Sequence, residues 1–249
     1  MSSPSRSAWV TFPRPNPTAA LRLFCFTYAG GGTSFFSAWV ARLPTTVELC
    51  PIRLPGRENR LSEKPYTRVS EMIPPLVENL RPYLDKPYAF FGHSLGSFVS
   101  YETALAVRQA GLREPQRLFA SGARAPHLPD PETPMYNLSE QDFIKRMREL
   151  NGTPEEVLQH AELLALMMPV LRADFEASDT YAYTPAPPLA CGITVFGGDA
   201  DPRASRAQLE AWREHTTSDF KLEIFPGDHF FLHSAREAVL GALGKELNA

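Results

Sequence analysis

Short apolar runs recur along the chain at residues 21–26, 47–52, 88–91, 117–121, 193–196 and 221–225. They are rich in aromatic and branched aliphatic residues, bounded by turn formers, and spaced too widely for hairpins. Such runs predict buried strands. Between them apolar residues recur at helical spacing. After Gly96, for example, Phe98, Tyr101 and Leu105 share one face with Glu102, Ala104 and Ala106 between them, until Gly111 ends the segment. Strands alternating with helices predict an α/β fold with a mostly parallel central sheet flanked by helices, here a single domain over residues 1–249.

One stretch, about 126–188, breaks that rhythm. It opens with Pro126, Pro129, Pro131 and Pro134 and closes with Pro185-Ala186-Pro187-Pro188. Helical patterns fall near 140–150, 154–166 and 168–178, so the stretch reads as an inserted helical lid. Met167, Met168, Leu171 and Phe175 give it apolar surface suited to a ligand pocket, because flexible methionines adapt to several shapes. The same residues would equally serve as ordinary helix core.

Gly92-His93-Ser94-Leu95-Gly96 falls where a strand runs into a helix. In a G-x-S-x-G elbow the glycines allow a tight turn that lifts the serine hydroxyl over the sheet edge. A serine needs a base, and the base needs an orienting acid. Of six histidines, His229 follows the last strand-like run and the turn Pro226-Gly227-Asp228, at the edge where catalytic groups gather in open α/β sheets. His233 lies four residues on, but no H-E-x-x-H pattern supports a metal pair, and no metal or other cofactor is expected. In Ser, Asp, His chain order the acid falls after residues 193–198, which predicts Asp201, with Asp199 as the alternative. The oxyanion hole is expected from the backbone N–H of Leu95 and that of Tyr28, with Ala29 close behind. Tyr28 precedes Gly30-Gly31-Gly32, which lacks both a dinucleotide fingerprint and a Walker lysine.

Composition narrows the function classes. A chain of 249 residues supports one large domain, and a net charge of −3 argues against general nucleic-acid binding. No run of ~20 apolar residues suggests a membrane span, and the proline-bearing start (Pro4, Pro13, Pro15, Pro17) has no apolar signal core. A cytoplasmic monomer acting in trans is expected. Cys25, Cys50 and Cys191 have no paired spacing and read as core residues.

With these motifs the chain resembles the stand-alone type II thioesterases of polyketide and nonribosomal peptide biosynthesis, members of the α/β-hydrolase fold. The resemblance rests on Phe26 to Gly31, Leu54 to Glu58, the elbow at 92–96, Ser121 to His127, Asn151 to Pro154 and Leu171 to Phe175. Thr27 stands where the family usually carries proline, and Asn151 where a second glycine is common. The resemblance implies hydrolysis of acyl groups from the phosphopantetheine thioester of an acyl or peptidyl carrier protein. An esterase or lipase acting on oxygen esters is the competing enzyme, and a silent hydrolase-fold scaffold the competing non-enzyme. Carriers in such systems are usually acidic, so the basic run Arg53, Arg57, Arg60, Lys64 and Arg68 is the expected docking patch.

Overall fold

Apolar residues that alternate between two covered faces account for the sheet. In the computed structural model, which describes residues 7–153 and 155–247, it comprises β1 (Leu21–Phe26), β2 (Val47–Pro51), β3 (Tyr88–His93), β4 (Arg117–Ser121), β5 (Gly192–Gly198) and β6 (Phe220–Phe225). The order is β2-β1-β3-β4-β5-β6 and every pairing is parallel. Phe24, Phe26, Phe90, Leu118 and Val195 point to one face, under α1 (Val69–Leu80) and α2 (Leu95–Gln109). Leu23, Cys25, Phe91, Phe119 and Phe196 point to the other. There Phe36, Trp39 and the later helices α7 (Phe231–Ser234) and α8 (Arg236–Leu247) cover them. The three cysteines are buried and unbridged, and burial pushes their thiol pKa values up.

Because β1 lies between β2 and β3, the chain leaves it in one direction and returns on the other side. That reversal opens a crevice at the carboxyl ends of β1 and β3. The residues after both strands, Thr27 onward and Ser94 onward, are the ones the sequence marks for chemistry.

Between β4 and β5 the chain adds α3 (Glu140–Leu150), α4 (Glu155–Gln159) and α5 (Ala161–Asp179). They share a small core of Met135, Phe143, Met147, Leu158, Leu164, Leu171 and Phe175. The predicted break between 166 and 168 is absent. Instead α5 starts where the His160 ring accepts the Leu163 N–H, and runs on through Pro169, which forfeits one helical hydrogen bond. Pro154, predicted to open the middle helix, and Pro4 lie outside the described residues. After β5 the chain forms α6 (Arg206–Glu210), which starts at a Ser205–Gln208 capping box.

The two stems of the insertion meet at a buried histidine. His215 Nδ1 is hydrogen-bonded to the Tyr101 hydroxyl (2.9 Å), and its Nε2 to His127 Nδ1 of the first stem (2.7 Å). Tyr183 of the second stem sets its ring edge-on at 5.4 Å, and Glu214 lies 3.7 Å beyond His127. Burial, with a smaller contribution from His127, lowers the His215 pKa to about 4. The unfolded chain therefore binds a proton between pH 6.5 and 4 that the folded chain does not, so this contribution to stability is lost as pH falls through that window. We expect the melting temperature to fall less between pH 7 and pH 5 in His215→Gln than in the wild type, as scanning calorimetry would measure.

Candidate active site

The turn after β3 is strained and tightly filled. Ser94 sits at φ 54°, ψ −120°, a region that a residue with a side chain holds only when its surroundings demand it. The demand comes from close approach. A Cβ on Gly96 would collide with the Phe26 and Thr27 carbonyls at the end of β1, and one on Gly92 with the backbone of Gly96 and Ser97. The Ser94 N–H donates to Ser121 O (2.8 Å), and the Ser97 hydroxyl accepts the Ser121 N–H (3.0 Å) while lying 2.9 Å from Gly92 O. Ser94 stays partly exposed, and Leu95 opens α2 with its N–H free of helical bonding.

His229 lies on the loop after β6, buried to 4% exposure, and its Nδ1–H donates to Asp201 Oδ2 at 2.9 Å. Asp201 Oδ1 accepts the Arg203 N–H (2.8 Å), so that carboxylate is anchored on both oxygens. Asp199 instead accepts the Gly227 N–H (2.9 Å) and braces the turn that leads to His229. His93, beside Ser94 in the chain, lies against His229 with ring centroids 5.1 Å apart, and its Nδ1 is hydrogen-bonded to Ser121 Oγ (2.9 Å). Burial, and then the neighbouring His229, push the His93 pKa well below the usual value, so His93 is a neutral wall beside His229. The other histidines are occupied in the stem cluster or as the α5 cap, apart from His233, which faces a cavity.

The loop after β1 is held from outside itself. Its Gly31 N–H closes a turn on Tyr28 O (2.9 Å), while neither the Tyr28 nor the Ala29 N–H meets an acceptor among the described residues. Gly30, at φ 76°, donates its N–H to Asp174 Oδ2 (2.7 Å). Asp174 is paired with Arg57, whose Nη2 donates to Oδ1 at 2.8 Å and whose Nη1 donates to Oδ2 (3.0 Å) and to Gly31 O (2.9 Å). Thr27, in the place of proline, buries its hydroxyl against Gly31 with no hydrogen-bond partner among the described residues. Farther along, Glu58 accepts from the Thr33 hydroxyl, the Ser34 N–H and Arg53 Nε. Burial raises the Glu58 pKa, but these bonds outweigh it and hold the carboxyl below its usual range.

These contacts correct the expected docking patch. Arg57 is buried against Asp174. Arg60 is buried, pairs with Glu63 and lies over the Trp9 ring, while Arg53 pairs with Glu58 and Arg68 with Glu176. Lys64 alone of the five is exposed and without an ion pair among the described residues. A run of cations along the sequence does not become a patch when each side chain turns toward a different carboxylate.

Beside the loop a cavity of about 640 Å³ opens between residues 28–32, residues 56–58 and the inner face of α5. Leu166, Met167, Val170 and Leu171 form its apolar wall, and Tyr28, whose ring meets that of His93 edge-on at 6.0 Å, and His233 also line it. Two of the four expected pocket residues therefore face it. Met168 is turned by helical phase into a separate groove with Glu140, Leu164 and Arg172. Phe175 is buried edge-on against Phe143, 5.4 Å away, in the core of the insertion. A cleft of about 570 Å³ adjoins the cavity at Tyr28, Gly152 and His233. Its lining is more polar, with Arg148, Asn151 and Asp228.

Sequence reasoning missed Asp174, the paired role of Arg57, the wall formed by His93 and the place of His233. A signal existed for the first two: the Leu54 to Glu58 and Leu171 to Phe175 blocks each carry two charges among apolar neighbours.

Comparisons with known proteins agree with this geometry. The thioesterase domain family matches residues 21–247. The chain belongs to the thioesterase domain family. Among solved structures, the type II thioesterase BorB from the borrelidin biosynthetic cluster superposes with a TM-score of 0.90, at 34% identity, over 98% of this chain and 100% of that one. The gramicidin S biosynthesis protein GrsT of Aneurinibacillus migulanus is 42% identical over 239 residues, 96% of this chain and 93% of GrsT. The linear gramicidin dehydrogenase LgrE of Brevibacillus parabrevis is 44% identical over 250 residues, 99% of this chain and 94% of LgrE.

This thioesterase is a thioester hydrolase with the α/β-hydrolase fold. The word dehydrogenase belongs to LgrE alone. In the present thioesterase the glycine loop after β1 has no pyrophosphate fingerprint, and its Gly30 N–H is already spent on a carboxylate. Among the described residues no helix is long and apolar enough to cross a membrane.

The two aspartates of the β5 loop make a sharp test. Asp201→Asn should lower kcat by up to ~10⁴-fold, because an amide at Oδ2 favours the wrong histidine tautomer. Asp199→Asn, which keeps an oxygen for Gly227, should cost less than ~10-fold by the ordinary value of one neutral hydrogen bond. Steady-state kinetics on one acyl thioester checks both, and the reverse ranking would move the role to Asp199.

Proposed function

We propose that this thioesterase releases acyl groups from the phosphopantetheine arm of carrier proteins in polyketide or nonribosomal peptide biosynthesis, clearing stalled or aberrant chains as a cytoplasmic monomer. One observation carries the chemistry: the strained Ser94 turn follows His93, whose ring lies 5.1 Å from that of His229, and His229 is buried and hydrogen-bonded to Asp201. The likeness to proteins of gramicidin S and borrelidin biosynthesis supports the substrate class.

In this reading His229 takes the Ser94 proton as Oγ attacks the thioester carbonyl, and Asp201 stabilises the imidazolium that results. The Leu95 N–H and the Tyr28 N–H hold the oxyanion. Collapse expels the pantetheine thiolate, which leaves with the His229 proton. Water then attacks the acyl-serine, with His229 again as base, and releases the free acid. The apolar cavity takes the acyl chain, and the more polar cleft takes the amide-rich arm. The insertion serves as a lid over both.

Two measurements test this. Wild-type protein should hydrolyse acyl-carrier thioesters with a higher kcat/KM than soluble oxygen esters of the same acyl group, and Ser94→Ala should abolish both activities. Preference for the oxygen ester would make the protein an esterase. For the cavity wall, Met167→Trp should discriminate against long acyl chains by roughly 10 to 200-fold, the range for 1 to 3 kcal/mol of lost apolar fit, while Met168→Trp leaves the preference unchanged. Equal effects of the two substitutions would remove α5 from the acyl site.

A further inference from the structure

We propose that Arg57 and Asp174 are positioning residues for the oxyanion hole, and that they make its assembly conditional on the seating of α5. The inference rests on the thioesterase reaction proposed above and adds to it a pair of groups that never touch the substrate.

The geometry runs from the helix to the donor. Asp174 and Leu171 are three apart on α5 and so lie on one face. Leu171 fills the space above Gly30, where any Cβ would strike it, while Asp174 accepts the Gly30 N–H. Arg57 completes the hold by donating to Gly31 O and to both oxygens of Asp174. The turn from Tyr28 O to the Gly31 N–H then passes this constraint back to the Tyr28–Ala29 peptide, the neighbour of the one that carries the Tyr28 N–H. Glu58 pins the far side of the same loop at Thr33 and Ser34. A loop of three glycines has little stiffness of its own, so its shape comes from these contacts.

Burying two charges at 6% and 1% exposure is costly, and an apolar pair of similar size would hold α5 down as firmly. What an apolar pair cannot do is accept the Gly30 N–H and hold the Gly31 carbonyl. When α5 lifts, the Gly30 bond goes with it, Arg57 loses the carboxylate that orients its fork on the Gly31 carbonyl, and the second donor loses its aim. The hole is then complete only while α5 covers the acyl cavity.

The test compares the wild type with Arg57→Met/Asp174→Leu, which removes both charges and keeps the packing, and with Arg57→Lys, which keeps the charge and loses the fork. Three quantities are read: melting temperature, kcat and KM on an acyl-carrier thioester, and the rate at which an alkyl fluorophosphonate phosphonylates Ser94. In that last reaction Ser94 Oγ bonds to phosphorus, fluoride leaves, and the phosphoryl oxygen takes the oxyanion position, so it reports the hole whatever the natural substrate is. In the double variant we expect kcat to fall by about 100-fold, the scale of a misplaced or missing oxyanion donor. KM should change less than about threefold, and phosphonylation should slow in parallel. Arg57→Lys should show a smaller loss in both rates, and it carries the comparison if the double variant does not fold. A folded variant with wild-type kcat and wild-type phosphonylation would overturn the proposal. A wild type that is phosphonylated but inert on carrier thioesters would overturn the proposed function instead, leaving the phosphonylation rates to decide this inference.

Discussion

The site depends on how closely the turn after β3 rests on the end of β1. With hydrogens alone at Gly92 and Gly96, the backbone of the turn touches the Phe26 and Thr27 carbonyls, and that contact holds Ser94 in a conformation it would otherwise leave. The same contact sets the Leu95 N–H beside the loop that carries Tyr28. The proposed nucleophile and the proposed oxyanion donors thus share one point of backbone contact between neighbouring strands. The hydrogen bonds between Ser97 and Ser121 extend the support to β4. His93 and Ser121 extend it to the loop of the base.

The helical insertion is joined to this frame at places of different character. Its stems close on His215, through neutral hydrogen bonds and aromatic edges. Its longest helix reaches the oxyanion loop through a buried ion pair. Between α3 and α4, Asn151 donates to Asp228 (3.2 Å), next to His229. The insertion therefore touches both the loop of His229 and the loop that carries Tyr28, so its position bears on the candidate site as well as on the cavity.

What was legible in the sequence followed from local rules. The six strands were visible because both faces of a parallel sheet are covered, and the elbow because only glycines fit it. Choosing Asp201 over Asp199 drew on spacing, but the reason lies in three dimensions: one carboxylate meets the ring and the other the turn that delivers it. Met167 and Met168 have the same composition and adjacent places, and helical phase sends them to different cavities. The basic run misled because a cation's partner is set by the fold, and Asp174 lies more than a hundred residues from Arg57 along the chain. Charges that look solvated in sequence are the hardest to place when their partners are distant.

The long insertion also orders events during folding. β4 pairs with β5 across all of α3, α4 and α5, and β5 in turn carries β6 and the loop of His229. Contacts so distant along the chain form late, since a long loop must close before they stabilise anything. The half of the protein that holds Ser94 can therefore collapse before β5 and β6 have brought His229 and Asp201 to it. Only when the final parallel pairing docks do the three residues of the proposed triad share one edge of the sheet.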